Sequence, residues 1–237
     1  MGVNLKERNN TVGVFIPGIG FHWDAAANLD LYGGIHKGFS PPGSSPGAKQ
    51  EESINYELGF STTGGVWETN VAFFVNDFSN LLGNDLMATG GLGDGNMFNA
   101  GEVLSRGVET SIEYFGFQGA GGRWQLPLVL NFHYFKSSFA NSFDSDFEAW
   151  GEVESGDELP YIPSVQASFR AGLIHDKFEV FVQPRWISAM RTQAGQGQLM
   201  EGSYIPAQFT VDAGAHYYLN ERLSVYGTVL NLGDATF

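Results

Sequence analysis

Cysteine is absent from the chain, which removes disulfides, thiol nucleophiles and thiolate metal sites together. Charge is sparse: 16% of residues are Asp, Glu, Lys or Arg, against roughly 25% in an ordinary soluble domain. Positive charge is the scarcer sign, with 12 Lys and Arg facing 26 Asp and Glu for a net charge of −14. So acidic a chain offers no basic surface for phosphate backbones, and nucleic acid is not expected as a partner. Long apolar runs are missing as well. Apolar residues make up 43% of the sequence, yet no stretch approaches the roughly 20 consecutive apolar residues of a membrane helix, so helical spans are excluded. Catalytic groupings are also lacking. There is no nucleophile elbow, and His22, His36, His133, His175 and His216 fall on different segments without metal-ligand spacing. No enzyme activity, cofactor or metal site is expected. Met1 is followed by a polar stretch rather than a charged-then-apolar leader, so an exported protein is not expected to begin here.

What the chain has in quantity is glycine (32 residues), phenylalanine (20) and period-2 alternation. Ser53, Asn55, Glu57, Gly59 and Ser61 alternate with Ile54, Tyr56, Leu58 and Phe60. Gln166, Ser168, Arg170 and Gly172 alternate with Val165, Ala167, Phe169, Ala171 and Leu173, and Gln208, Thr210, Asp212, Gly214 and His216 with Phe209, Val211, Ala213 and Ala215. Each is a strand with one apolar and one polar face. Weaker versions run over 11–23, 29–39, 67–78, 103–115, 125–136, 178–187 and 223–232, which makes ten strands in all. Most are long enough for the roughly 9–11 residues with which a tilted strand crosses a bilayer; strands of soluble proteins are nearer 5–6.

The connections alternate in length. Short ones fall at 24–28, 63–65, 118–123, 175–177 and 219–221, and long ones at 40–50, 82–102, 137–160 and 189–204. Short turns on one side and long loops on the other are the habit of outer-membrane barrels. Trp23, Trp67, Phe115, Trp124, Phe178, Tyr217 and Tyr218 sit within a few residues of short turns, where an interfacial girdle of aromatics is expected. Pro184 falls inside a strand and removes a ladder donor, so a bulge is expected there. The fold class is therefore all-β: an antiparallel up-and-down meander of about ten long strands, with the apolar set facing outer-membrane lipid.

Several segments resemble the barrel of TonB-dependent outer-membrane receptors, nearest the iron(III) dicitrate type. They are Gly34-Ile-His-Lys-Gly-Phe-Ser-Pro-Pro-Gly43, Glu52-Ser-Ile-Asn-Tyr-Glu-Leu-Gly59, Asn76-Asp-Phe-Ser-Asn-Leu-Leu-Gly83, Phe98-Asn-Ala-Gly-Glu-Val103, Gly156-Asp-Glu-Leu-Pro-Tyr161, Met190-Arg-Thr-Gln-Ala-Gly195 and Asn231-Leu-Gly-Asp-Ala-Thr-Phe237, in that order along nearly the whole chain. The resemblance implies a barrel of about 22 strands around a plug. Residues 1–237 would be a partial barrel domain, with the plug, the early strands and the last strand outside it. It implies uptake of a ferric chelate at the Gram-negative cell outer membrane, with the TonB complex engaged through the missing plug. A passive porin-type channel shares the strand and loop pattern and is the alternative.

On that reading, Lys37, Arg191, Gln193 and Gln196, at or near the long-loop ends of strands, are candidates for an anionic ferric chelate, because arginine pairs its donors with carboxylate. Glu57, Glu109, Glu113, Arg170 and Arg185 fall on polar faces and are expected to line the lumen and meet the plug. Arg170 is expected opposite Gln183, and Arg185 opposite Ser168, as cross-strand hydrogen-bonding pairs. The acids Asp144, Asp146, Glu148, Glu152, Glu154, Asp157 and Glu158 read as a solvated loop, and Asp94-Gly95-Asn96 lacks full calcium-ligand spacing.

Overall fold

A computed structural model describes residues 13–41, 49–84, 97–99, 101–119, 122–145, 147 and 149–236. Thr11, most of the 40–50 connection, Asp94-Gly95-Asn96, Asp146, Glu148 and Phe237 lie outside the described residues. The strands are β1 (Gly18–Ala26), β2 (Leu29–Ser40), β3 (Glu51–Gly64), β4 (Trp67–Ser79), β5 (Leu82–Asn84), β6 (Met97–Asn99), β7 (Val103–Tyr114), β8 (Trp124–Gln125), β9 (Leu128–Phe139), β10 (Phe143–Asp144), β11 (Glu152–Val153), β12 (Val165–His175), β13 (Phe178–Ile187), β14 (Met190–Arg191), β15 (Tyr204–Ile205), β16 (Gln208–Asn220) and β17 (Leu223–Val229). The main sheet runs β1-β2-β3-β4-β7-β9-β12-β13-β16-β17, each strand antiparallel to its neighbours in sequence, with β8 also pairing β12. The expected meander is present. Among the described residues there is no α-helix and no pairing of β1 with β17.

Three expectations at strand ends and breaks are corrected. The first strand begins at Gly18, not Thr11, because Pro17 has no N–H to offer a ladder, although its carbonyl still accepts from Lys37 N at 2.9 Å. The last strand stops at Val229 rather than 232. Asn231 takes a positive φ of 51°, its side chain caps Ala235, and its N–H donates to Asp212 Oδ1 at 2.9 Å, which ends the regular strand, although Leu232 N still donates to Val211 O at 2.7 Å. Pro184 makes no bulge. Its register with Val211 is continuous, and toward β12 the pairs before and after it, Ser168↔Arg185 and Ala171↔Val182, keep one frame. The missing donor costs only the local pairing. Pro127 acts similarly: it splits one strand into β8 and β9, yet both keep the same register on β12 and the Pro127 carbonyl accepts from Gly172 N.

The two faces stay separate across the sheet. The register links Phe21, Gly33, Leu58, Phe73, Val108, Tyr134 and Val165 in one lateral row, and Ile54, Tyr56, Phe60, Ala167, Phe169, Phe209, Val211 and Ala213 share that surface. This apolar outward face is uncovered: Leu58 is 57% exposed, Phe73 53% and Phe209 55%. Such a patch far exceeds what a soluble monomer leaves open. Near the short turns the same face carries Trp23, Trp67, Trp124, Phe178 and Tyr217, joined by Tyr114 (4.5 Å from the Trp67 ring centre) and His175 (4.4 Å from that of Trp124). Tyr218 does not belong to this girdle; the alternation puts it on the opposite face, where its hydroxyl donates to Glu179 Oε1 at 2.8 Å.

The polar inward face is built on glycine. Tyr32 lies over Gly59, Phe74 over Gly107 and Phe181 over Gly214, each pair directly opposed across two strands. An aromatic ring shields the bare backbone in each pair, which pins register. The buried core lies at the long-loop end. Val103, Phe139, Ala149, Trp150, Val153 and Leu159 form it, with Phe143 and Phe147 edge-on to Trp150. The 137–160 loop is thus packed, not simply solvated.

Candidate ligand-facing loops and lumen wall

The five lumen candidates all project from the inward face. Glu109 opposes His133, with 3.6 Å between carboxylate and imidazole, and Arg185 reaches Asp212 at 3.2 Å. Asp212 is the buried partner, 6% exposed, and it also accepts from Asn231 N, so the β16 acid ties β13 to the end of β17. Arg185 does lie opposite Ser168, but its ion pair runs to Asp212. Arg170 stacks its guanidinium 3.7 Å from the Phe181 ring centre instead of bonding Gln183. The ring that lies over Gly214 thus also carries a cation, a cation–π contact. Glu57 and Glu113 lie on the same face, at ladder positions opposite Phe74 and Glu68 respectively. A hollow of about 710 Å³ on this wall is bordered by Glu109, His133, Gln166, Ser168, Gln183 and Arg185.

The four ligand candidates are not brought together. Lys37 lies on β2, separated by β3, β4, β7, β9 and β12 from the loop that follows β13. It shares the outward face with Ile35 and pairs with Glu52 at 2.8 Å. Arg191 is only 9% exposed. Its Nε donates to Glu158 Oε2 at 3.1 Å and its Nη2 donates to the Gly197 carbonyl. Glu158 also takes Lys136 at 3.3 Å, and its N–H donates to Gly195 O. Gln196 donates to Ser155 O at 3.2 Å, and Gln193 is exposed. Arg191 is therefore a clasp between the 137–160 and 189–204 loops. Arg191→Ala is expected to cost about 1–3 kcal/mol of loop stability, the range for hydrogen bonds to charged groups, discounted because Glu158 is 39% exposed. Limited proteolysis should show new cuts within 189–204 while the strands stay protected; an unchanged pattern would refute the clasp.

Two features escaped sequence reading. Phe139, Phe143, Phe147 and Trp150 recur every three to four residues, a signal for a packed loop that was overshadowed by its acids. His22, Asp24 and Asp30 bring one ligand atom each within 4.8 Å of one another across the first hairpin. The His22–Asp24 pair at 3.4 Å is exposed, and exposed acidic groups gather this way without an ion.

A meander of long strands with one face apolar and uncovered, the other polar, and packed loops at one end is the wall of a membrane-spanning β-barrel. Residues 2–232 match the family described as "TonB dependent receptor-like, beta-barrel", and the chain belongs to that family. Its members are outer-membrane transporters of Gram-negative bacteria, so the family is one of carriers rather than enzymes, and the passive porin reading is not favoured. No curated protein matches the sequence. Among solved structures, the chain is similar to the ferric-catecholate import receptor Fiu from K12 E. coli in its closed form (TM-score 0.66, 20% identity, 92% of this chain and 30% of that one). It is similar to the ferric yersiniabactin uptake receptor FyuA from Yersinia pestis (TM-score 0.65, 19% identity, 92% and 32%) and to the copper transporter OprC (TM-score 0.63, 14% identity, 92% and 34%). The chain spans about a third of the length of each. At these identities the likeness concerns the fold.

Proposed function

We propose that the chain is part of an outer-membrane receptor that takes up a ferric chelate, of the siderophore or iron(III) dicitrate kind, with energy from the TonB complex. In this reading residues 1–237 supply ten adjacent strands of a larger barrel, and the plug that contacts TonB and the remaining strands lie outside them. The observation that carries the proposal is the family match over residues 2–232, supported by similar structures that include ferric-catecholate and ferric yersiniabactin receptors. The inward wall, with Glu57, Glu109, Glu113, Arg170 and Arg185, suits a polar plug. Gln193 and Gln196, on the loop clasped by Arg191, are the proposed ligand contacts. Lys37, paired with Glu52 on the outward face, supports binding less well.

The test is uptake of radiolabelled iron by cells that lack their own ferric-chelate receptors and carry the full-length gene. Ferric dicitrate and a ferric siderophore should be supplied separately. Accumulation of one of them that stops when TonB is deleted is the expected result. Accumulation that persists without TonB, together with permeation of small sugars into liposomes, would make the protein a passive channel instead.

A further inference from the structure

The buried core at the long-loop end sits on the inward face. Phe78, Val103 and Phe139 stand side by side across β4, β7 and β9, and they share the parity of the lumen residues Phe74, Gly107 and Glu109. Val103 and Phe139 are each 1% exposed, because Ala149, Trp150, Val153 and Leu159 close over them. The loop is held by backbone as well. Phe139 N donates to Asp157 O, Gly156 N to Phe139 O and Ala194 N to Ala149 O. A loop packed on lumen-facing side chains lies inside the mouth of the wall, fixed at both ends.

The charge of this end is one-sided. The long connections 40–50, 82–102, 137–160 and 189–204 hold eleven Asp and Glu against Lys49 and Arg191, so they carry −9 of the chain's net −14. The short connections hold Asp24, Asp176 and Glu221 against Arg123 and Lys177, a net −1. The cations near the mouth do not offset this. Arg191 is buried and held by Glu158 and the Gly197 carbonyl. Lys37 and Lys136 pair with Glu52 and Glu158, and with Arg106 they lie on the outward face. On the inward face, Arg185 and Arg170 stand level with Asn131 and Val129 of β9, eight and ten residues from Phe139. At roughly 3.4 Å per residue that is about 27 and 34 Å along the strand, well beyond a screening length of about 8 Å. The acids, in contrast, stand open. Asp144 and Glu152 face each other directly across the β10–β11 hairpin, and with Glu154 they are exposed and have no ion pair among the described residues. Like charges so opposed destabilise a ladder. They are kept in place because the adjacent pair of that hairpin, Phe143 and Val153, packs into the core.

We propose that the inward-folded 137–160 loop makes the mouth a charge filter, so that the iron complex taken up is neutral or cationic rather than anionic. The inference rests on the receptor reading and names the charge class of its ligand. A cleft lined by one sign of charge between low-dielectric walls concentrates ions of the opposite sign and speeds their entry. Three hydroxamates neutralise ferric iron, and a pendant amine makes the complex cationic; three catecholates leave it triply negative. The exposed amides of Gln193 and Gln196 offer donors and acceptors without adding charge. No open guanidinium stands among the described residues of the mouth to pair with a carboxylate.

The probes are ferric desferrioxamine B, a trihydroxamate with a free amine, its N-acetyl form, which is neutral, and its N-succinyl form, which is anionic. All three present the same iron centre. Radiolabelled iron uptake is followed, with a ferric tricatecholate alongside, in cells that lack other ferric-chelate receptors and carry the full-length gene, with and without TonB. At low ionic strength the amine form should enter at least about tenfold faster than the succinyl form, the acetyl form should fall between them, and added salt should narrow the gap. Asp144→Asn/Glu152→Gln/Glu154→Gln should reduce the amine-to-succinyl ratio by at least about threefold. It should also remove most of the salt dependence, which a merely structural loop defect would leave in place. TonB-dependent uptake that favours the succinyl form or the tricatecholate, or that treats the three forms alike, overturns the filter and leaves the receptor reading standing. No TonB-dependent uptake of any of the four overturns both. Should the triple variant fail to assemble, the charge series and its salt dependence in wild type decide the matter.

Discussion

Leu58→Arg is expected to abolish assembly of the protein in the outer membrane, while Glu57→Arg at the neighbouring position leaves it intact. Leu58 stands near the middle of β3, on the apolar row between Gly33 and Phe73, and is 57% exposed. Arginine at the bilayer midplane of a barrel costs about 2–4 kcal/mol. Glu57 points to the opposite face, opposite Phe74 and Gly34, where water and polar groups accept a charge. Proteinase resistance and heat-modifiable migration of membrane fractions measure the outcome. Equal effects of the two substitutions would mean that the faces are wrongly assigned, since one step along a strand exchanges them.

Gly107→Val is expected to be as damaging for a different reason. A Cβ at Gly107 would collide with the backbone carbonyl of Tyr134 and with the Phe74 ring. The ring cannot simply swing away, because it stacks with Phe135 at 6.0 Å between ring centres, and Phe135 sits opposite Gly107 on β9. Relief requires separating β7 from β9 or expelling Phe74, and overpacking of this kind typically costs 1–3 kcal/mol even where side chains alone must move. Here backbone must move too, so little protein should reach the membrane and the remainder should melt early in a heat-modifiability series. Gly227→Ala, where an added Cβ meets nothing within 4 Å, is the control and should behave as wild type. A Gly107→Val protein with wild-type thermal behaviour would show that the aromatic–glycine packing contributes nothing.

Much of this was legible along the chain. Alternation in 53–61, 165–173 and 208–216 assigned faces correctly, and the short and long connections assigned ends correctly, because both depend on neighbours one or two residues apart. The same parity places Lys37 with Ile35 on the outward side, a signal open to reading that its position at a strand end obscured. Proline was read as too disruptive: Pro184 interrupts one pairing while both flanking ladders hold the frame. Other outcomes needed partners far away in sequence. Arg170 settles on Phe181, and Phe181 is available because Gly214, on the next strand, leaves room beneath it.

By itself the sequence determined the class of the fold, the two faces and the side on which the loops gather, since a pleated strand turns a period of two directly into sidedness. Only the tertiary structure decided which loop residues are anchors and which remain open to a ligand. Arg191 became a buried clasp because Glu158, thirty-three residues earlier, and Gly197 converge on its guanidinium, and an acidic loop became a core because Phe139, Trp150 and Val153 close on Val103 from another strand. Such contacts follow from register and loop closure between distant segments. No local pattern encodes them, and they alone set which polar groups are desolvated and satisfied.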